Sequence, residues 1–198
     1  MKKHSFIITL VAIIFAINVI IAFKSGSESN AQTQTSTGKA DIGGNFTLTD
    51  STGKTVTNQD FAGRYMLVYF GFTHCPDMCP TALTAMTNAL NELGGKAKRI
   101  TPIFVTTDPE RDTVKAMAEY KKSFHPSLVA LTGKEADIKK LVADYKGFYQ
   151  KEGKGKDYQV NHSGFMYLMD PKGEYVTHYG PDTTADALKA DLNKRVAE

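Results

Sequence analysis

The stretch MLVYFGFTHCPDMCP, residues 66–80, joins a nearly unbroken apolar run to the only two cysteines of the 198-residue chain. The run Met66 to Phe72 is typical of a strand that is buried on both faces of a sheet. Pro80 suits the first position of a helix, and a residue before proline is disfavoured inside one, so Cys79 is expected to cap that helix. Both cysteines should therefore lie between the carboxyl end of a buried strand and a helix, where α/β sheets gather ligand sites.

Strand and helix patterns alternate along the chain from residue 41. This order indicates an α/β sheet covered on both faces, and a thioredoxin-like domain fits it. We expect a thioredoxin-like fold with an N-terminal β-hairpin and a central mixed sheet flanked by helices. The hairpin is expected at residues 45–57, the helices at 80–93, 112–124 (with Asp112 as the N-cap), 135–148 and from about 184, and further strands at 100–107, 127–132, 165–170 and 175–180. The basic, glycine-rich residues 149–164 are expected to form a loop.

The first 40 residues differ in composition from the rest of the chain. Residues 1–5 carry two lysines, residues 6–23 are apolar with few interruptions, and residues 24–40 are rich in Ser, Thr, Gly and Gln. An apolar run of about 18 residues can span a bilayer, and the lysines favour a cytoplasmic N-terminus. We expect one N-terminal transmembrane helix at 6–23, a flexible linker at 24–40, and a domain at 41–198 on the periplasmic side of the inner membrane. Cleavage near SNA, residues 29–31, is the alternative.

The charge pattern argues against nucleic acid as a partner. The formal net charge is only +3. The lysines are scattered or gathered in one loop, whereas nucleic-acid binding needs a basic patch or stripe on one face.

Cys75 and Cys79 are open to three interpretations on spacing alone. As a disulfide staple they would close a loop of about five residues, which stabilises by roughly 2 kcal/mol, less than longer loops give. As a redox couple they depart from the two-residue spacing of thioredoxin motifs, although a disulfide is geometrically possible. As metal ligands, two thiolates suit Cu(I) or Zn(II) but leave either ion short of donors. The helix N-terminus predicts that both thiols ionise readily.

A third ligand would favour metal binding, and histidine is the residue type to search. His162 lies before the apolar run FMYLMD; if that run pairs with the strand at 66–72, His162 faces the cysteines. His74 adjoins Cys75, but consecutive residues at a strand end point in opposite directions. Met78 is more typical of packing or contact surface than of a ligand. The remaining histidines are expected to lie elsewhere: His4, His125 and His178.

Four stretches of the domain resemble the signatures of the Sco/SenC family. They are LVYFGFTHCPDMCPTAL, TTDPERDT, LTGK and VNHSGFMYLMDPKGEYV, and they occur in the family's order. The resemblance implies a membrane-anchored, thioredoxin-like protein that binds copper, as Cu(I) or Cu(II), through Cys75, Cys79 and His162. It also implies that Asp108 of TTDPERDT contributes to partner or redox function. Asn161 stands where the family often has aspartate, a departure that can change the copper affinity.

Two functions follow from this resemblance. In the first, the chain is a metallochaperone that delivers copper to, or matures, the dinuclear copper centre of cytochrome c oxidase, and a Cys75–Cys79 disulfide switches the site off. In the second, the chain is a membrane-anchored thiol-disulfide reductase whose cysteines act on the oxidase or on other exported proteins. The expected partners are the copper-accepting oxidase subunit and a thiol-disulfide reductant or another copper chaperone.

Overall fold

Residues 41–155 and 157–196 are described by the structure, a computed structural model. The predicted cytoplasmic N-terminus at 1–5, transmembrane helix at 6–23 and linker at 24–40 lie outside these ranges. Within the two ranges, no helix combines the length and apolar character needed to cross a membrane. The membrane anchor therefore stays a prediction.

A mixed sheet forms the centre of the described domain. The strands are β1 (Thr47–Asp50), β2 (Thr55–Thr57), β3 (Tyr65–Gly71), β4 (Ile100–Thr106), β5 (Val129–Thr132), β6 (Tyr149–Glu152), β7 (Gln159–His162), β8 (Met166–Met169) and β9 (Tyr175–Tyr179). Seven of them form one sheet in the order β2-β1-β5-β4-β3-β8-β9, and β6 and β7 form a separate two-stranded sheet. β3, β4 and β5 are parallel, and the outer strands run antiparallel to their neighbours. The expected mixed sheet with its N-terminal hairpin is confirmed.

Helices cover both faces of this sheet. They are α1 (Met78–Glu92), α2 (Val114–Tyr120), α3 (Glu135–Asp144) and α4 (Ala185–Arg195), with 3-10 helices at Asn58–Phe61, Gly94–Arg99 and Lys121–Ser123. Buried side chains of α1, α2 and α4 share one core with Leu67 and Tyr69 of β3. Those of α3 share the other core with Met66, Val68 and Phe70. Successive β3 side chains enter opposite cores, which explains why the strand is apolar along its whole length.

The expectation that Cys79 caps the helix is wrong. α1 begins at Met78 and has Asp77 as its N-cap, so Cys79 lies in the first helical turn. The first N–H groups of a helix have no partner within it, and Pro80 therefore costs little one position further on. Cys79 is consequently part of the helix and faces the protein interior.

Two other segments also differ from the expectation. Thr113 caps α2 by accepting a hydrogen bond from the Ala116 amide, so Asp112 is not the cap. Within the expected loop, Tyr149–Glu152 and Gln159–His162 pair as the β6–β7 hairpin, and exposed and partly or fully buried residues alternate along both strands. Gly153 (φ 104°) and Gly155 (φ 79°) adopt the left-handed conformation at its tip, which glycine tolerates without strain.

Candidate metal centre

The cysteine arm, residues 71–79, runs from the end of β3 into α1 and carries both thiols. Asp112 anchors its start, because the Thr73 amide donates to Oδ2 at 2.9 Å and the Thr73 hydroxyl to Oδ1 at 2.6 Å. The Cys75 amide donates to the Phe72 carbonyl at 3.2 Å and closes a turn. The Cys79 amide in turn donates to Cys75 Sγ at 3.4 Å. Strand end, turn and helix thus hold the two sulfurs next to each other.

Gly71 leaves room for the Cys79 sulfur. A Cβ atom at this position would lie 2.7 Å from Cys79 Sγ and 3.0 Å from Cε2 of Phe104. Cys79 is fully buried, whereas Cys75 is partly exposed. Cys79 therefore packs against the β3 backbone, and solvent reaches the pair from the Cys75 side.

The histidine arm, residues 149–155 and 157–162, contains the β6–β7 hairpin, and His162 is its last residue. The hairpin register places His162 opposite Tyr149. The imidazole is only 7% exposed, and its ring meets those of Tyr69 and Phe72 edge-on. β8 begins at Met166, four residues later, and pairs with β3 as expected. This pairing brings His162 to the cysteines.

Hydrogen bonding fixes the orientation of the His162 imidazole. Nδ1 lies 3.1 Å from the carbonyl oxygen of Ser163. A carbonyl can only accept, so Nδ1 donates this hydrogen bond. Nε2 then faces the cysteines and lies 3.3 Å from Cys79 Sγ. Metal-ligating histidines commonly donate their other nitrogen in this way, so the ring has the orientation of a ligand.

The donor atoms of Cys75, Cys79 and His162 form one group. The two sulfurs and the imidazole nitrogen all lie within 4.8 Å of one another. A metal–sulfur bond is about 2.3 Å long, so two ligands of one ion are at most about 4.6 Å apart. The group therefore fits a single ion after a small adjustment. Thiolate donors select soft ions such as Cu(I), and three donors leave a structural zinc ion one ligand short.

The two thiols differ in acidity. A hydrogen bond from the Cys79 thiol lowers the pKa of Cys75 to about 4; His162 and the Cys79 amide act in the same direction, and partial burial opposes them. Donation to Cys75 and burial together raise the pKa of Cys79. The expectation that both thiols ionise readily is therefore wrong for Cys79, because its hydrogen bond to Cys75 and its burial raise its pKa despite the helix N-terminus.

Comparison with known proteins places the chain in a family. A family model described as SCO1/SenC matches residues 34–197. The chain belongs to the SCO1/SenC family. Protein SCO1 homolog 1, mitochondrial, of Arabidopsis thaliana is 41% identical over 165 residues, which are 82% of this chain and 49% of that protein. The match thus spans about half the length of this relative.

Two solved structures of Sco proteins share the fold. Arabidopsis thaliana ScoI with copper bound has a TM-score of 0.74 and 41% identity, over 77% of this chain and 96% of that one. Bradyrhizobium japonicum ScoI with copper bound has a TM-score of 0.72 and 41% identity, over 79% of this chain and 99% of that one. The chain therefore has the thioredoxin-like fold of Sco proteins.

The other histidines do not belong to the donor group of the described residues. His74 is half exposed, and its Nδ1 lies 3.7 Å from Asp112 Oδ1. His125 shares a hydrogen bond with Ser127, and His178 with Tyr175. His4 lies outside the described residues.

Two further candidates lie close to the group without joining it. Met78 is 42% exposed, and its sulfur lies beside Gly164. Asp108 is fully buried, and its carboxylate accepts hydrogen bonds from Arg111 and Tyr158. Asp108 therefore contacts the histidine arm and not the donor atoms.

Three residues that shape the site were not predicted in these roles. Asp112 was expected only as a helix cap, although the three carboxylates of DPERD, at the sheet edge that carries the cysteines, were a signal. Gly71, a glycine inside an apolar strand, was a signal of close approach by another atom. Nothing in the sequence indicated that the Ser163 carbonyl would orient the imidazole.

Proposed function

We propose that this chain is a copper metallochaperone that delivers copper to, or matures, the dinuclear copper centre of cytochrome c oxidase. The observation that carries the proposal is the grouping of Cys75, Cys79 and His162 within 4.8 Å in a chain 41% identical to Sco proteins solved with copper bound. Copper is the cargo in this proposal, and the three side chains are its ligands.

The proposed mechanism uses the difference between the two thiols. Cys75 is the accessible thiolate and makes the first bond to incoming copper. Cys79 loses its proton to solvent on the exposed Cys75 side when copper neutralises the charge of the pair, because ligating sulfur must be deprotonated. His162 Nε2 completes the site, since a neutral imidazole nitrogen is the form that binds a metal. Release occurs by ligand exchange from the exposed Cys75 side.

The oxidation state of the cysteines gates this site. Thiol-disulfide exchange with a disulfide-bonded partner joins Cys75 Sγ to Cys79 Sγ and leaves the partner as two thiols, so electrons and protons balance. The resulting disulfide has no thiolate to offer copper. Reduction by an external dithiol restores both ligands.

The second candidate function is a thiol-disulfide reductase that acts on cysteines of the oxidase or of other exported proteins. Both thiols are free, and the low pKa of the accessible Cys75 favours attack on a disulfide, with Cys79 to resolve the mixed disulfide. This function needs the cysteine arm and not His162. The two functions are therefore separable by mutation.

The proposal places the domain on the periplasmic side of the inner membrane, held by a single N-terminal span at residues 6–23. Its partners are the copper-accepting oxidase subunit and the reductant or chaperone that restores or loads the site. The apolar run that supports the anchor belongs to the sequence and lies outside the described residues.

The experiment is His162→Ala in the full chain, with His178→Ala as the matched control on β9. In anaerobic competition with a Cu(I) chelator, we expect His162→Ala to weaken copper binding by at least about 100-fold, because losing a ligand costs more than the 10- to 100-fold typical of losing a residue that only orients one. Disulfide exchange with a small disulfide should persist, and His178→Ala should resemble wild type in both assays. Wild type that retains no copper would contradict the chaperone function and favour the reductase.

A further inference from the structure

A single short loop contacts both arms of the metal centre. Residues 108–112, sequence DPERD, follow β4 at the sheet edge where β3 also ends. Asp112 accepts two hydrogen bonds from Thr73 of the cysteine arm. Asp108, at the other end of the loop, and Arg111 contact Tyr158 of the histidine arm. The loop therefore links Thr73, in the arm that carries the cysteines, to Tyr158, in the arm that carries His162.

Asp108 and Arg111 make three contacts with Tyr158. Its hydroxyl donates to Asp108 Oδ1 at 2.6 Å, and its carbonyl accepts from Arg111 Nη1 at 3.0 Å. The Arg111 guanidinium also lies 3.8 Å from the centre of the Tyr158 ring. A cation stacked this closely on an aromatic ring, together with two hydrogen bonds, fixes both the backbone and the side chain at the start of β7.

The burial of Asp108 makes these contacts hard to break. Its side chain is fully buried, and its two carboxylate oxygens accept from Arg111 and from the Tyr158 hydroxyl. A buried carboxylate is costly unless it is paired and hydrogen-bonded. Movement of the hairpin away from the loop would remove the Tyr158 donor from Asp108, so the attached position of the hairpin is favoured.

Arg111 also lies near Phe72, an aromatic residue whose ring packs against His162. Its guanidinium carbon lies 5.9 Å from the centre of the Phe72 ring. The Phe72 ring meets the His162 ring at 90° with 5.8 Å between centroids. Arg111 is thus connected to His162 in two ways. It contacts Tyr158, which precedes β7, and it lies near Phe72, which packs against the imidazole.

We propose that Asp108 and Arg111 are positioning residues that hold the β6–β7 hairpin through Tyr158 and so place His162 over the two cysteines. This inference rests on the proposed copper function and adds residues that do not bind the metal. It also gives Asp108 a role in assembling the site in place of direct partner or redox work. Because β6 and β7 form their own sheet, side-chain contacts such as these hold the hairpin against the domain.

Tyr158→Phe is the test variant, since it removes the hydroxyl that donates a hydrogen bond to Asp108 and keeps the ring that stacks with Arg111. Tyr149→Phe is the matched control: it lies in the same hairpin, and its buried hydroxyl has no hydrogen-bond partner among the described residues. Arg111→Lys is a second variant that keeps the charge beside Asp108 but loses the planar stack. Each change is made in the full chain and again together with His162→Ala.

Two measurements decide the proposal. In anaerobic Cu(I) competition we expect Tyr158→Phe to weaken binding about tenfold, the lower end for residues that orient a metal ligand, and Arg111→Lys to do likewise. In the His162→Ala background the same changes should alter binding less than about twofold, because a positioning residue has nothing left to position. Tyr149→Phe should have no effect in either background.

The second measurement needs no copper. Amide hydrogen exchange of residues 149–155 and 157–162 in the metal-free protein should rise at least about tenfold in Tyr158→Phe, since hydrogen bonds to charged groups are among the strongest and their loss makes local opening more frequent. Equal copper loss with and without His162, or unchanged exchange in the hairpin, would overturn the positioning role. If wild type binds no copper but the exchange rises, the copper function fails and the attachment of the hairpin stands.

Discussion

The two arms of the metal centre are built in different ways. The cysteine arm continues β3, a central strand of the main sheet, and enters α1, so the fold itself holds its sulfurs. The histidine arm is a separate two-stranded sheet that is fastened to the domain mainly by side chains, among them Val160, Tyr158 and His162 itself. The position of the two thiols is therefore set by the whole domain, whereas the position of the third ligand depends on a few local contacts.

The largest expected effect comes from breaking the cysteine arm. Gly71→Ala places a Cβ atom 2.7 Å from Cys79 Sγ. Overpacking of this kind costs typically about 1–3 kcal/mol, so we expect the free energy of unfolding to fall by about 2 kcal/mol. Chemical denaturation of the reduced, metal-free protein measures it.

Gly95→Ala is the control for this change, because a Cβ atom there meets no atom within 4 Å. Its effect should stay within about 0.5 kcal/mol, as for other surface substitutions. Equal stability of the two variants would mean that the space at Gly71 is not needed.

For the ionisation of Cys75 in the metal-free protein we expect a smaller effect, on the pH dependence of its alkylation. The lowered pKa keeps Cys75 a thiolate at every pH above about 4, so its alkylation rate should be nearly flat from neutral pH downward and fall only as the pH approaches 4. In His162→Ala the fall should move to higher pH, because the imidazole helps to lower the pKa of Cys75.

Timed alkylation read by tandem mass spectrometry gives both profiles. Cys79 should react at least about tenfold more slowly than Cys75 near pH 6, because it is buried and its pKa is raised. A Cys75 rate that climbs steeply above pH 8, as for an ordinary thiol, would contradict the hydrogen bond between the two cysteines.

The smallest effect tests the outer face of the histidine arm. The side chain of Asn161 is exposed and donates to Glu152 Oε1 at 3.4 Å, on the face of the hairpin opposite to His162. Asn161→Asp sets two carboxylates against each other across the strands and should destabilise the hairpin by a few tenths of a kcal/mol. Copper affinity should change less than about twofold.

Thermal unfolding with and without Glu152→Gln measures the repulsion, and the double change should restore the wild-type value. A large gain in copper affinity from Asn161→Asp alone would show that this position acts on the metal centre after all. The expectation drawn from the family pattern at Asn161 would then hold.

The sequence predicted the cysteine arm far better than the histidine arm. The apolar runs at 66–72 and 165–170 indicated two central strands, and their pairing brings His162 to the cysteines. The hairpin was missed because its polar alternation is short and interrupted by a glycine-rich turn. The opposite acidities of Cys75 and Cys79 depend on one hydrogen bond, and the role of Asp112 depends on a partner 39 residues away. Such long-range side-chain partners leave no local pattern in the sequence.

The pairing of β8 with β3 also has a consequence for the order of events during synthesis. Cys79 and His162 are 83 residues apart, and they meet only after β8 has paired with a strand formed about a hundred residues earlier. Contacts of this sequence separation form late, because the entropy of closing the chain opposes them. A chain synthesised only as far as residue 150 has both cysteines but lacks His162. We therefore expect the complete three-donor site only in molecules that have finished folding.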